Sequence, residues 1–173
     1  MTDLPATELL IGQITKELRE LLAERGRDRP LLIGIHTGGA WVAERLHALL
    51  GPEDPLGLLD ISFYRDDFTR IGMNPQVRPS NLPVPLEGRH VVLIDDVVYT
   101  GRTVRAALNE LFDYGRPASV TLVTLIDRAG RELPFEPDIS GLKLTLPENR
   151  HVKLGGPEPL TLTIAERGTG GGA

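Results

Sequence analysis

Apolar residues recur every three to four positions in three segments of the chain, which is the spacing of a helix with one buried face. These segments are 10–21, 41–49 and 104–112. Gly26 and Gly51 follow the first two segments, and glycine is common just beyond the end of a helix. The pattern therefore predicts three amphipathic helices, each packed on a core through one face.

Five further segments have the pattern of extended chain. Residues 31–35, 91–94 and 120–126 are short, continuous apolar runs, as expected for strands buried on both faces. Residues 59–63 and 160–164 alternate between apolar and polar side chains, as expected for strands with one buried face. Helices and strands that alternate along the chain predict an α/β fold, with a mostly parallel central sheet flanked by helices.

The segment 66–85 has no periodicity, and its prolines and glycine interrupt regular structure. An irregular loop of that length inside a domain usually has a function, so we predict a flexible lid. Ligands of parallel α/β sheets bind beyond the carboxyl ends of the strands. The loops after Ile35 and Ile94 both start at such ends, so we expect them to face one crevice.

The chain has 173 residues, a net charge of −5 and no cysteine. This length suits one domain, 1–167, followed by a glycine-rich tail at 168–173 that we expect to be disordered. The lack of cysteine excludes disulfides and thiolate sites, and the acidic balance disfavours strong nonspecific binding to nucleic acid. Because there is no apolar run long enough for a membrane span and no evident signal peptide, we predict a cytoplasmic protein.

Two adjacent carboxylates, Asp95 and Asp96, follow a predicted buried strand. Such a pair is tolerable where it meets hydroxyl donors or a cation, and the neighbouring hydroxyls of a ribose meet that requirement. Thr100, Gly101 and Thr103 then lead into a predicted helix, whose first amides attract a phosphate. From spacing alone, a sugar-phosphate site and an ordinary strand end, with Thr103 as the helix N-cap, remain equally open.

The segment 92–103, VLIDDVVYTGRT, resembles the signature of the type I phosphoribosyltransferases. Three other segments, 64–67 (YRDD), 109–117 (NELFDYGRP) and 127–134 (DRAGRELP), extend the resemblance over about residues 8–165. Together they resemble one branch of that family, the bifunctional pyrimidine operon attenuation regulators and uracil phosphoribosyltransferases. The resemblance implies the type I phosphoribosyltransferase fold, with a small hood in addition to the lid.

The resemblance also implies a reaction, in which uracil and phosphoribosyl pyrophosphate give UMP and pyrophosphate. Mg²⁺ would be held mainly through substrate oxygens, with no direct protein ligand. Asp95 and Asp96 would bind the ribose hydroxyls, and backbone amides of Thr37, Gly38 and Gly39 would bind the pyrophosphate. The 5-phosphate would lie in a loop formed by Val97, Val98, Tyr99, Thr100, Gly101, Arg102 and Thr103.

The remaining contacts implied by the resemblance come from the lid and the hood. Arg65 and Arg78 would approach the pyrophosphate with the lid. The hood, about 126–164, would recognise the base. Its base-binding residues would be Ile126, Asp127 and Arg128. Relatives that act on hypoxanthine carry a lysine in this segment, and its absence here favours a pyrimidine.

Departures from the branch leave alternatives open. Gly38 stands where the regulators carry an arginine, so one phosphate-binding charge is missing. Gly130 and Glu136 replace basic residues of a face that binds a pyrimidine-operon mRNA leader in those relatives. The basic residues that remain for such a face are Lys16, Arg19, Arg128, Arg131, Arg150, His151 and Lys153.

Two other functions therefore stay open beside the uracil transferase. One is an RNA-binding attenuator that senses UMP with little catalysis, and the other is a phosphoribosyltransferase for another base. The resemblance implies a homodimer or a larger homo-oligomer.

Overall fold

The structure, a computed structural model, describes residues 3–61 and 80–168. The helices in these ranges are α1 (Thr7–Glu24), α2 (Gly38–Leu50) and α3 (Arg102–Asp113). The strands are β1 (Leu31–Ile35), β2 (Gly57–Leu59), β3 (His90–Val98), β4 (Ser119–Arg128), β5 (Ile139–Leu144), β6 (Arg150–Gly155) and β7 (Thr161–Glu166).

Five of these strands form a central sheet in the order β2-β1-β3-β4-β5, while β6 and β7 form a separate antiparallel pair. All neighbouring strands of the central sheet are parallel. Parallel neighbours need a crossover connection, and the helices α2 and α3 supply two of them. This architecture confirms the predicted α/β fold with a parallel sheet flanked by helices.

The two faces of the sheet are covered by different helices. Val92 and Ile94 of β3 pack into one cluster with the apolar faces of α1 and α2. Val91 and Leu93, which point to the opposite face, pack into a second cluster with α3. The continuous apolar run in this strand is therefore explained by burial on both sides.

Close packing of α2 on β1 depends on small residues. A Cβ placed on Gly34 would lie 2.7 Å from the Cβ of Ala43 and 2.9 Å from the Cα of Ala40. Since real Cβ contacts are almost never below 3.0 Å, glycine is required for this approach. The contact fixes the N-terminus of α2 at the carboxyl end of β1, beside β3.

The bounds of β2 and β3 differ from the sequence-based prediction. β3 continues to Val98 instead of ending at Ile94, because β4 pairs with it as far as Val98 and Asp127. The two carboxylates therefore lie inside a strand and do not terminate it. β2 is short, because it pairs with β1 at only three positions. Of the described residues in the predicted strand 59–63, only Leu59 belongs to β2.

The strands β5 and β6 are absent from the sequence-based prediction because their patterns are weak. β5 is an edge strand that pairs only with β4, and Gly141 interrupts its apolar residues. A Cβ on Gly141 would lie 2.7 Å from the carbonyl oxygen of Leu125 and 3.2 Å from Ile14, so the packing of α1 favours glycine there. The predicted strand 160–164 corresponds to β7, which pairs with β6 outside the central sheet.

Part of the predicted lid, 66–85, is described. Asn81 and Leu58 exchange two backbone hydrogen bonds of 2.8 Å, which attach the end of this segment to β2. Asn81 therefore lies at the edge of the sheet, beside β2.

Other predictions fall outside the described residues. Arg65 and Arg78 do so, together with lid residues 66–79, and so does the predicted disordered tail apart from Gly168. Within the described ranges, none of the helices combines the length and the apolar character that crossing a membrane requires.

Candidate active site

The crevice lies where β3 extends beyond β1. The last residue pair between these strands joins Gly34 to Ile94, whereas pairing between β3 and β4 continues for four residues along β3. Asp95 and Asp96 therefore lie on a stretch of β3 that β1 no longer accompanies. On that side the chain of β1 turns into α2, so the start of α2 takes the place of a neighbouring strand.

The first residues of α2 are in direct contact with this stretch of β3. A Cβ on Gly38 would overlap with the carboxylate of Asp96, and one on Gly39 would lie 2.7 Å from the carbonyl oxygen of Ile94 and 3.0 Å from the Cα of Asp95. The peptide bond between His36 and Thr37, just before the helix, is cis. The two predicted loops thus face one crevice, as expected from their places at strand ends.

The two carboxylates have different surroundings. Asp95 is only 4% exposed, and its Oδ1 accepts a hydrogen bond of 2.9 Å from the amide of Asp96. Asp96 is half-buried, and its Oδ1 accepts a hydrogen bond of 2.9 Å from the amide of Val97. Asp96 is therefore the carboxylate that a ligand in the crevice reaches more easily.

The loop between β3 and α3 is short. Val97 and Val98 belong to β3, and the side chain of Val98 is buried in the core, so only its backbone is available to a ligand. Tyr99, Thr100 and Gly101 form the loop itself. Gly101 is the N-cap of α3 at a φ of 94°, a conformation that favours glycine.

The N-cap residue of α3 is a glycine, which supplies no capping side chain. The Oγ1 of Thr100, one residue earlier, accepts a hydrogen bond of 3.2 Å from the amide of Arg102. Thr103 is exposed in the first turn, and the predicted alternative of Thr103 as the N-cap is wrong because Gly101 occupies that position. Amides in the first turn of such a helix attract anions.

The segment after β4 holds this loop in place. The carbonyl oxygen of Thr100 accepts hydrogen bonds from the amides of Glu132, at 2.9 Å, and Leu133, at 3.0 Å. A Cβ on Gly101 would lie 3.3 Å from the Cβ of Leu133. The predicted base-binding segment and the predicted phosphate loop are therefore parts of one packed unit.

Tyr99 is enclosed by residues of the same segment. The guanidinium of Arg128 lies 4.0 Å from the centre of the tyrosine ring, in cation–π geometry. A Cβ on Gly130 would overlap with the ring, so glycine makes room for it. Arg131 donates from Nη1 to the carbonyl oxygen of Tyr99 at 2.6 Å.

Arg131 also forms an ion pair at the carboxyl end of β4. Its Nη2 lies 2.6 Å from Oδ1 of Asp127, and its Nε lies 3.3 Å from Oε1 of Glu136. Burial lowers the pKa of Arg131, but the hydrogen bonds to Asp127 and Glu136 outweigh burial, so its pKa is raised above the ordinary value. Arg131 therefore stays charged at any ordinary pH.

An open cleft of about 480 Å³ adjoins this ion pair. Asp127, Arg131 and Glu136 line it from one side, and Lys143 and Thr145 line it from β5 and the residue after it. The volume lies within the range of about 300–1,000 Å³ that is typical of small-molecule sites.

The predicted base-binding residues have unequal access to this cleft. Ile126 is fully buried in the core, so only its backbone faces other groups, and its carbonyl oxygen accepts a hydrogen bond of 3.0 Å from Thr124. Arg128 is 2% exposed and donates to the carbonyl oxygen of Pro147 at 3.0 Å. Asp127 is the one of the three whose residue lines the cleft.

Sequence reasoning placed Arg131 on a candidate RNA-binding face and missed its contacts within the site. The chain contains one signal that points to them, since Asp127 and Arg131 carry opposite charges four residues apart. Such a pair predicts contact only on a helix. Here Asp127 lies in the last part of β4 and Arg131 lies in the irregular segment after it, so the contact depends on the tertiary structure.

In residues 3–61 and 80–168, no group of three or more His, Cys, Asp or Glu side chains is arranged to hold an ion. Asp95 and Asp96 still offer carboxylate oxygens, which Mg²⁺ prefers as ligands. These two residues fit a metal that a substrate brings with it.

Comparisons with known proteins show which family the chain belongs to. The family model of the phosphoribosyl transferase domain matches residues 2–154. A relative from Pseudomonas paraeruginosa, named bifunctional protein PyrR, is 61% identical over 159 residues, which are 92% of this chain and 94% of that protein. A protein of the same name from Nitrosococcus oceani is 58% identical over 159 residues, which are 91% of this chain and 90% of that protein.

Solved structures of the same fold include a purine phosphoribosyltransferase from Pyrococcus horikoshii, with a TM-score of 0.60 at 26% identity. The match covers 82% of this chain and 89% of that chain. A hypoxanthine phosphoribosyltransferase from Staphylococcus aureus has a TM-score of 0.60 at 25% identity and covers 83% of this chain and 76% of that chain. The predicted resemblance and the predicted enzyme class are thereby confirmed: the chain belongs to the phosphoribosyltransferase family, within the branch of the PyrR proteins.

Proposed function

We propose that this protein is a uracil phosphoribosyltransferase, which forms UMP and pyrophosphate from uracil and phosphoribosyl pyrophosphate, and that it has a second, regulatory role in pyrimidine metabolism. One observation carries the proposal: the start of α2 lies directly against Asp96, where β3 extends beyond the last residue of β1 that pairs with it. A carboxylate pair and two helix starts thus surround one crevice. The names of the relatives, which call those proteins bifunctional, support the combination of two roles.

The carboxylates suit the ribose ring. Asp96 is accessible, and a carboxylate that accepts hydrogen bonds matches the two ring hydroxyls, which donate them. Departure of pyrophosphate leaves positive charge on the ribosyl carbon, and fixed carboxylates nearby stabilise that charge. Neither carboxylate needs to act as a nucleophile in this scheme.

The helix starts suit the two phosphate groups. Gly101 and the amides that follow it lie at the N-terminus of α3, where a 5-phosphate is favoured by the helix dipole. Thr37, Gly38 and Gly39 start α2 without a side-chain cap, and their amides suit the pyrophosphate. The leaving group carries heavy negative charge, so its binding at a preorganised set of amides lowers the barrier to its departure.

Mg²⁺ fits this arrangement as a companion of the substrate. The ligands of the metal would be substrate oxygens and water, and the negative charge of Asp95 and Asp96 would favour its binding nearby. When bound, the ion offsets the charge of the departing pyrophosphate.

The base would lie in the cleft beside Asp127 and Arg131. The relatives that act on hypoxanthine, by the resemblance described above, place a lysine donor in this segment, whereas this chain has Asp127, which only accepts hydrogen bonds when ionised. Uracil presents ring N–H groups to such an acceptor, but so does a purine such as hypoxanthine. The missing lysine donor is therefore the feature that favours a pyrimidine.

The test is release of pyrophosphate in the presence of uracil, phosphoribosyl pyrophosphate and Mg²⁺. We expect Asp96→Asn to lower kcat/KM by about 100-fold or more, the scale of losing one preorganised electrostatic contact. Asp28→Asn is the matched control, because Asp28 is an exposed carboxylate in the loop before β1, at the opposite end of the strands. Turnover of hypoxanthine or guanine without turnover of uracil would refute the base assignment.

The second candidate function is binding of a pyrimidine-operon mRNA leader, which the word bifunctional in the relatives' names favours. Two of the seven basic residues considered for that face are engaged in the site, since Arg128 stacks on Tyr99 and Arg131 pairs with Asp127. Filter binding of a leader RNA across a salt series tests this role. Binding that weakens steeply with salt supports it, because each neutralised phosphate releases counterions. UMP binding without turnover of uracil would favour the sensor over the enzyme.

A further inference from the structure

Arg131 contacts both the predicted phosphate loop and the proposed base cleft. One amino group of its guanidinium, Nη1, reaches the carbonyl oxygen of Tyr99 at 2.6 Å and that of Arg128 at 3.5 Å. The other, Nη2, reaches Oδ1 of Asp127 at 2.6 Å, and Nε reaches Oε1 of Glu136 at 3.3 Å. Tyr99 belongs to the phosphate loop and Asp127 lines the base cleft, so one side chain is bonded to both.

The surroundings make this contact rigid. The side chain of Arg131 is 17% exposed and that of Asp127 is 10% exposed, which reduces screening by water. A guanidinium is planar and presents its donors in a fixed fork, so its bonds to Asp127 and Tyr99 set the direction of one relative to the other. An ammonium group cannot do this, because it is a point charge on a flexible stem.

The other contacts of the loop depend on the same segment. The carbonyl oxygen of Thr100 is held by the amides of Glu132 and Leu133, which directly follow Arg131. The ring of Tyr99 is held by Arg128, which comes three residues before Arg131. Displacement of Arg131 from its place would therefore release the middle of a segment whose two ends both hold the phosphate loop.

We infer that Arg131 is a positioning residue for the transferase reaction, which fixes the distance between the base cleft and the 5-phosphate loop through its simultaneous bonds to Asp127 and to the carbonyl oxygen of Tyr99. This inference rests on the proposed function. It also assigns Arg131 to the interior of the active site and removes it from the candidate RNA-binding face, because its guanidinium is occupied by protein oxygens.

The experiment measures KM for uracil and KM for phosphoribosyl pyrophosphate separately, in three variants. Arg131→Gln removes the bridge, and we expect both KM values to rise by about 10- to 100-fold, the scale of a lost hydrogen bond to a charged group. Asp127→Asn removes the charge that faces the base but keeps an oxygen that can accept from Arg131, so we expect its KM for uracil to rise and its KM for phosphoribosyl pyrophosphate to stay within about twofold. Arg131→Lys keeps the charge but not the fork, so we expect it to recover less than half of the loss on a logarithmic scale.

The matched control is Arg25→Gln, which removes another arginine–aspartate pair. In that pair Nη1 of Arg25 lies 3.2 Å from Oδ1 of Asp138, the residue just before β5 begins. If Arg131→Gln is poorly folded, Arg131→Lys still tests the positioning role, because that variant keeps the buried charge. Its KM for uracil and its KM for phosphoribosyl pyrophosphate are then compared with those of the wild type. A rise confined to uracil, or full rescue by lysine, would overturn the positioning role.

The wild-type protein, measured beside the variants, separates this inference from the proposed function. If the wild type does not turn over uracil, the proposed function fails. If the wild type turns over uracil and the variants behave like Arg25→Gln, only the role of Arg131 fails.

Discussion

Replacement of Gly39 by alanine adds one methyl group at the contact between α2 and β3. The new Cβ would lie 2.7 Å from the carbonyl oxygen of Ile94 and 3.0 Å from the Cα of Asp95. The shorter distance is about 0.7 Å below ordinary van der Waals contact at 3.4 Å. Both neighbours are backbone atoms of a strand that is paired on its other side with β4, so they cannot rotate away as a side chain would.

The loss of stability follows from this overlap. Insertion of one methyl group into a tightly packed contact destabilises a protein by about 1–3 kcal/mol. Alanine also reduces the freedom of the unfolded chain, which offsets about 0.4–1 kcal/mol, so the net loss is at most about 2.6 kcal/mol. For a chain of this size, about 1 kcal/mol lowers the melting temperature by about 2–4 °C, so we expect a decrease of up to about 10 °C.

The loss of activity should be larger than the loss of stability suggests. The strand segment that must shift carries Asp95 and Asp96, and a displacement of about 1 Å at a reacting centre is worth up to about 100-fold in rate. We therefore expect kcat/KM for phosphoribosyl pyrophosphate to fall by at least about tenfold at a temperature where the variant is fully folded.

The assay has a control of opposite sign. Gly12 lies on the exposed face of α1 with no atom within 4 Å of its Cβ position, so Gly12→Ala should stabilise the protein by about 0.5–1 kcal/mol and leave activity unchanged. Both variants are compared by thermal unfolding at one protein concentration, because assembly would shift the transition. An unchanged melting temperature and unchanged kcat/KM in Gly39→Ala would show that α2 and β3 are not held in contact, and would refute the geometry of the crevice.

Two further predictions concern pH. Burial raises the pKa of Glu110, although a hydrogen bond of 2.6 Å from Ser80 lowers it, so the folded state holds this proton at a pH where the unfolded state has lost it. The free energy of unfolding therefore falls as the pH rises above about 4.5. In urea titrations, Glu110→Gln should gain stability relative to the wild type between pH 4 and pH 7. A difference in stability between the two proteins that stays constant with pH would contradict the raised pKa. A hydrogen bond from Arg89 lowers the pKa of Asp54, so the stabilisation is complete above about pH 3.8 and is lost as the pH falls through the lowered value. Arg89→Gln should therefore be less stable than the wild type at pH 6, and this difference should shrink toward pH 3; a difference that grows with acid would refute the role of Asp54.

The sequence predicted those parts of the fold in which local pattern and tertiary environment agree. β1 was bounded correctly because Leu31–Ile35 is apolar throughout and buried on both faces. The three helices were found because each has one apolar stripe that faces the sheet. In these elements the side chains that define the pattern are the same ones that form the core.

The sequence could not predict elements whose conformation depends on a partner strand. Polar residues at 95 and 96 break the apolar run of β3, yet the strand continues because β4 supplies hydrogen bonds to its backbone. β5 has mixed side chains with a glycine in the middle, and it is held by one neighbour and by the close approach of α1. Strand propensity is weak information at such edges, because packing against neighbours determines it.

The candidate site was predicted in its motifs but not in its mutual contacts. Asp95, Asp96 and the loop before α3 were identified from their chemistry and from the resemblance to a family. The role of Arg131 could not be read from the chain, because its partners Tyr99 and Asp127 come from the ends of two different strands. The contact between such residues exists only after β3 and β4 have paired.

The glycine at position 38, where the resemblance leads us to expect an arginine, lies in the same crevice. A side chain at this position would occupy the space of the Asp96 carboxylate, so Asp96 would have to move before Gly38 could be replaced. In this protein the carboxylate and the helix start share one contact surface, so a pyrophosphate bound there as proposed would meet backbone amides and no guanidinium from position 38. Amides at a helix start have a fixed orientation and carry part of the helix dipole, so they keep a geometry that binds an anion. Without an arginine charge, the long-range attraction of that anion is weaker.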